Sequence, residues 1–200
     1  MKKKVHHTGN WGLRIKIIIA ILGIILVTIM LMSATDDNTY VCTKGKIHFF
    51  SSAAMENIEA NSTSAICVIN TDTKKVSAKI QETSFVFASK LMREHFNENY
   101  MESDKYPYAV LDMVITNDID FTKDGTYDIT LKGTLDIHGV KKEREIPGKL
   151  VIKNSQPVNA TATFIVKMID HQIKIPHILG AKIAEEMKVD VDFSFEKYKK

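Results

Sequence analysis

The clearest hydrophobic pattern in the chain lies in residues 126–153, TYDITLKGTLDIHGVKKEREIPGKLVIK. Ile129, Leu131, Gly133, Leu135 and Ile137 share one phase, while Thr130, Lys132, Thr134 and Asp136 share the other. Alternation of period two describes a strand buried on one face. His138-Gly139 interrupts it with glycine second, which suits a tight turn needing positive φ. The stretch predicts a long antiparallel hairpin with one apolar face, and Pro147-Gly148 predicts an edge or a bulge in its second arm. The same period recurs in residues 158–168, where Ala160, Ala162, Phe164, Val166 and Met168 fall on one side. In residues 186–196 it sets Val189, Val191, Phe193 and Phe195 against Lys188, Asp190, Asp192, Ser194 and Glu196.

Upstream, residues 40–50, 64–70 and 75–87 read as strands, the last bent near residues 82–84 after Val76, Ala78 and Ile80. Pro107 lacks an N–H for a ladder and marks the start of a strand over 108–121, with Leu111, Met113 and Ile115 opposing Val110 and Val114. Residues 51–63, rich in Ser, Asn and Ala, read as a loop or a short helical turn. Residues 170–184 break the alternation and carry Pro176 and Gly180, which predicts a loop with a helical turn. One helix is expected after the third strand, capped by Ser89, with Leu91, Met92, His95 and Phe96 at helical spacing on one face. About eight strands without βαβ alternation predict an all-β, antiparallel sheet. Its most economical closure is an eight-stranded up-and-down barrel, which can hold one small ligand, and a β-sandwich is the alternative.

Charge changes the picture at the N-terminus. The chain has 200 residues and a formal net charge of +3, but Lys2, Lys3, Lys4, Arg14 and Lys16 precede residue 35 with no acid among them, so the remainder carries a net −2. That balance gives no electrostatic reason to bind nucleic acid. Residues 17–32 form an apolar run broken only by Gly23 and Thr28, following the basic stretch. Residues 1–34 are therefore expected to be a signal peptide or a membrane anchor, and residues 35–200 the folded domain. The charge asymmetry places that domain outside the cytoplasm, in a periplasmic or other extracytoplasmic space, tethered to the inner membrane if the segment is retained. In such a compartment Cys42 and Cys67 either pair or stand as two small apolar strand residues.

Candidate chemistry is sparse. His48, His95, His138, His171 and His177 are scattered, and the His171-x5-His177 spacing has no cysteine pair beside it, so no metal site is expected. There is no G-x-S-x-G elbow, no catalytic cysteine signature and no glycine-rich phosphate loop. Asp190 and Asp192 fall on the outward phase of the last strand. No catalytic residue and no cofactor are expected. What remains is apolar: Phe85, Phe87, Leu91, Phe96, Tyr106, Phe164, Phe193 and Phe195 either fill a solid core or line, in part, an elongated cavity.

Two segments carry a resemblance. Residues 133–142, GTLDIHGVKK, resemble a G-x-L-x-I-H-G-V-x-K hairpin, and residues 91–107, from LMREHF to MESDKYP, resemble an H-F…S-x-x-Y-P segment joining a short helix to a strand. Together with the Phe-rich last strand they are similar to the YceI-like, polyisoprenoid-binding family over roughly residues 40–197. The resemblance implies an extended, lipocalin-like, eight-stranded antiparallel β-barrel. It also implies an isoprenoid or fatty-acyl lipid as partner and brings no catalytic residues. On this reading the expected lining is Phe85, Phe87, Leu111, Met113, Leu131, Leu135, Phe164, Val166, Phe193 and Phe195. The competing reading is a membrane-tethered interaction domain with a filled core. Oligomeric state is left open.

Overall fold

The computed structural model describes residues 38–52, 57–174 and 185–199. The expected signal or anchor segment lies outside the described residues. Among those described, no helix is long and apolar enough to cross a membrane.

Eight long strands make the domain: β1 Thr39–Ser51, β2 Ile58–Asn70, β3 Lys75–Gln81, β5 Tyr108–Ile115, β6 Gly125–Ile137, β7 Val140–Lys153, β8 Gln156–Lys167 and β9 Glu186–Ser194. Two-residue additions, β4 Val86–Phe87 and β10 Glu196–Lys197, flank β2 and β1. Each long strand pairs antiparallel with its neighbours, and β1 pairs with both β2 and β9, so the sheet closes on itself. The fold is a closed eight-stranded antiparallel barrel, and the sandwich alternative falls. Closure removes the sheet edges that an open sheet would expose.

The long hairpin forms as the alternation predicts. β6 and β7 pair without a shift from Gly125↔Ile152 to Ile137↔Val140. His138 (φ 55°) and Gly139 (φ 71°) are both left-handed, the geometry of a two-residue turn whose twist matches the strands. A Cβ on Gly139 would meet the Tyr106 ring at 2.6 Å, so the Tyr-Pro segment is seated on this turn. Gly133 has another reason to be glycine: a Cβ there would collide with the Asp112 carbonyl oxygen.

β7 runs unbroken through Pro147 and Gly148, and the expected edge is found there. Its ladder with β8 begins only at Gly148↔Ala162. Among the described residues, 140–147 therefore have β6 on one side and no ladder on the other, which is where a proline is tolerated. Arg144 crosses that gap to donate to the Ile165 carbonyl.

Three expectations change. Residues 58–63 are strand and not loop, because Ala60 and Ser62 are small enough to turn inward while polar Glu59, Asn61 and Thr63 face water. The fourth long strand stops at Ile115. There the Asn117 carboxamide oxygen accepts the Thr130 N–H, and Ile119 folds back into the core. The helix α1, Lys90–His95, is capped by Ser89, whose hydroxyl accepts the Met92 N–H at 3.3 Å. It then widens into a π turn at Phe96–Tyr100. With six α-helical residues it touches the barrel along one line: Phe96 is buried, Met92 half-buried, and Leu91 and His95 face solvent.

Candidate functional site

The inward phases of the eight strands do not meet at the barrel axis. They leave a cavity of about 150 Å³ whose wall is almost wholly aliphatic and aromatic. Leaving a cavity of that size empty costs on the order of 4 kcal/mol, at about 24 cal/mol per Å³. Apolar cavities of this size also stay dry. The interior is thus suited to an apolar occupant and unsuited to water.

Of the expected lining residues, Phe85, Leu111, Leu131, Leu135, Phe164, Val166, Phe193 and Phe195 stand on the wall. Met113 shares their inward phase but is packed into the core without bordering the cavity. Phe87 lies off the wall, in a four-ring cluster with Phe49, Phe85 and Phe96. Those rings approach at centroid distances of 4.9 Å for Phe49–Phe85 and 5.0 Å for Phe87–Phe96. The cluster joins α1 to one end of the barrel.

Several wall residues escaped the sequence reading, among them Phe49, Cys67, Ile69 and Ile129. Glu82 is among them too, a buried acid that opens the 3-10 turn Glu82–Ser84 after β3. It is 2% exposed and borders the cavity. Burial pushes its carboxyl up to about 8. A sequence signal existed, since the phase of Val76, Ala78 and Ile80 projects onto residue 82. The polar run Gln81-Glu82-Thr83-Ser84 concealed it.

At the same end of the barrel, a polar cluster ties the β6–β7 turn to its surroundings. His138 Nε2 lies 2.8 Å from Glu102 Oε2, and its Nδ1 lies 3.3 Å from the His171 carbonyl oxygen. His171 is fully buried in the 3-10 turn Met168–His171, and its Nδ1–H donates to the Val140 carbonyl at 3.0 Å. Burial lowers the His171 pKa, against the carbonyls of Val140 and Ile137 that raise it. Both histidines thus hold backbone segments together. His177 lies outside the described residues, and among those described no three His, Cys, Asp or Glu side chains gather as metal ligands.

An eight-stranded barrel with an apolar interior defines the class: a β-barrel with the architecture of a small-molecule binder. The YceI-like domain model matches residues 39–195, and the chain belongs to that family. The fold is also that of solved structures. One is a polyisoprenoid binding domain from Saccharophagus degradans implicated in plant cell wall breakdown. It shares 14% identity with a TM-score of 0.62, over 80% of this chain and 99% of that one. BcnA of Burkholderia cenocepacia shares 16% identity with a TM-score of 0.56, over 74% and 94%. The YCEI protein of Campylobacter jejuni shares 16% identity with a TM-score of 0.54, over 73% and 88%. No curated protein matches the chain.

Proposed function

We propose that the domain binds a long-chain apolar lipid, of polyisoprenoid or fatty-acyl type, inside the barrel and on the extracytoplasmic side of a membrane. The observation that carries the reading is the cavity, dry by composition and left open by eight strands that each turn an apolar face to it. The driving force is burial of the ligand chain at roughly 25 cal/mol per Å² of apolar surface, less the entropy of ordering that chain. The polyisoprenoid binding domain of Saccharophagus degradans, which shares this fold, supports the same class of ligand. The basic stretch and apolar run before residue 35 support the location. The role is binding for storage, transport or stress response, without catalysis.

Native mass spectrometry of the purified chain tests it. A lipid adduct released by organic extraction, and lost when Leu131 and Leu135 are both replaced by Trp to fill the cavity, is the expected result. A delipidated, refolded chain that takes up neither a prenyl alcohol nor a fatty acid would defeat the proposal.

A further inference from the structure

Glu82 is anomalous in the cavity wall. Its backbone is fully engaged, the N–H donating to the Pro107 carbonyl at 2.9 Å and the carbonyl accepting from Phe85 N–H at 3.3 Å. Among the described residues no hydrogen bond or charge acts on its carboxyl and burial alone shifts it, although the residue is 2% exposed. The other titratable groups on the wall do not serve it. Cys67 is a buried thiol, and Lys79 sets its ammonium 3.6 Å from the centre of the Tyr108 ring, on the exposed side of the sheet. A buried polar group without a partner is costly, and a native protein that keeps one has a reason.

Resting on the lipid-binding reading above, we propose that Glu82 is the polar anchor of the cavity and receives the uncharged head of a long-chain lipid, a hydroxyl or carbonyl oxygen. With its proton held up to about pH 8, the group presents an O–H donor and a carbonyl acceptor to the cavity at neutral pH. A hydroxyl satisfies both, and a carbonyl satisfies the donor. A carboxylate head would bring a second acid to a wall with no cation facing inward. An ammonium head would require Glu82 to ionise and two charges to leave water, a desolvation that the pair's attraction does not reliably offset.

The test displaces N-phenyl-1-naphthylamine from the full-length chain at pH 7 with dodecane, dodecan-1-ol, dodecanamide and dodecylamine. It compares wild type with Glu82→Leu and Glu82→Gln. The readout is the affinity of each headed probe relative to dodecane within one protein, which cancels the common tail. Relative affinity for dodecan-1-ol and dodecanamide is expected to fall about tenfold in Glu82→Leu, the worth of one hydrogen bond. In that variant dodecane itself binds more tightly. Glu82→Gln, which keeps a donor and an acceptor, is expected to stay near wild type. Thermal unfolding of each variant confirms that it is folded. Equal ratios in wild type and Glu82→Leu overturn the anchor while leaving lipid binding intact. A greater dependence of dodecylamine than of dodecan-1-ol on Glu82 overturns the uncharged head in favour of an ion pair. Failure of the dye and every probe to bind either protein overturns the lipid reading itself.

Discussion

Phe49 on β1 and Phe96 at the end of α1 lie stacked, their ring centroids 5.4 Å apart and their planes 22° from parallel. The contact joins the first strand to the one α-helix among the described residues, across less than a third of the domain's sequence. Phe96 also meets Phe85 at 5.9 Å and Phe87 at 5.0 Å, so a single side chain holds the helix to three rings. The helical segment is too short to persist unaided. Phe96→Ala is therefore expected to cost about 3–5 kcal/mol in urea unfolding. It should also raise amide exchange across residues 90–100 before the rest of the barrel. A loss below about 1 kcal/mol would show that the helix is held by something other than this ring.

Cys42 and Cys67 are directly opposite in the β1–β2 ladder, both buried and both free thiols. The sequence left pairing and independence both open, and the register shows how close the two come to each other. Burial, and then the neighbouring Cys42, push the Cys67 thiol up to about 12. Since the thiolate is the reactive species, the native chain should react with Ellman's reagent at pH 8 far more slowly than the unfolded chain. Unfolding without reductant should release both thiols. No thiol after unfolding would mean that a disulfide spans the ladder.

Gly139 is required by two independent facts, its φ of 71° and the Tyr106 ring 2.6 Å from where a Cβ would stand. Left-handed backbone alone costs a β-carbon residue roughly 1–2 kcal/mol. Displacing Tyr106 adds to it, because that ring also lies 4.4 Å from the His138 imidazole. Gly139→Ala is expected to lower stability by about 2 kcal/mol and to loosen the Glu102–His138 contact, visible as a shift of the His138 ring resonances. Unchanged stability would show that the turn can re-form in another geometry.

The barrel was legible because period-two alternation survives wherever one face is buried against aliphatic neighbours, as in β6 through β9. Legibility failed where small or polar residues occupy inward positions. Ala60 and Ser62 look like loop residues in sequence, yet Ser62 turns inward and its hydroxyl meets Ser84 at 2.9 Å. Leu91 looks like core and is 60% exposed, because the π turn that follows it, and not the α-helical face, decides which side chains dock. For the cavity, phase gave the wall residues on the later strands. No local pattern distinguishes Met113, packed solid, from Leu111 and Ile115 beside it, which border open space. That difference depends on what the opposite strands bring to the same level of the barrel. Glu82 was hidden for the converse reason, since a charged residue after a strand is ordinarily solvated.

Glu82 also gives the chain a signed pH dependence. Its carboxyl is raised from an ordinary 4.5 to about 8 by burial alone. Between those values the folded protein keeps a proton that the unfolded chain has lost, so stability falls as pH rises from about 4.5 to about 8. The full effect is on the order of 5 kcal/mol, at about 1.4 kcal/mol for each tenfold change in proton affinity. His171 acts in the opposite sense, over the acid part of the same range. With its pKa lowered by burial, it stays neutral in the fold while the unfolded imidazole protonates, so its stability contribution is lost as pH falls below about 6.5. Glu82→Gln separates the two, because His171 is common to both proteins. In urea unfolding of ligand-free protein, wild type is expected to lose stability relative to Glu82→Gln steadily from pH 5 to pH 8. A flat difference over that range would show that the Glu82 carboxyl ionises in the fold as readily as in water, and that it is not held in the dry wall of the cavity.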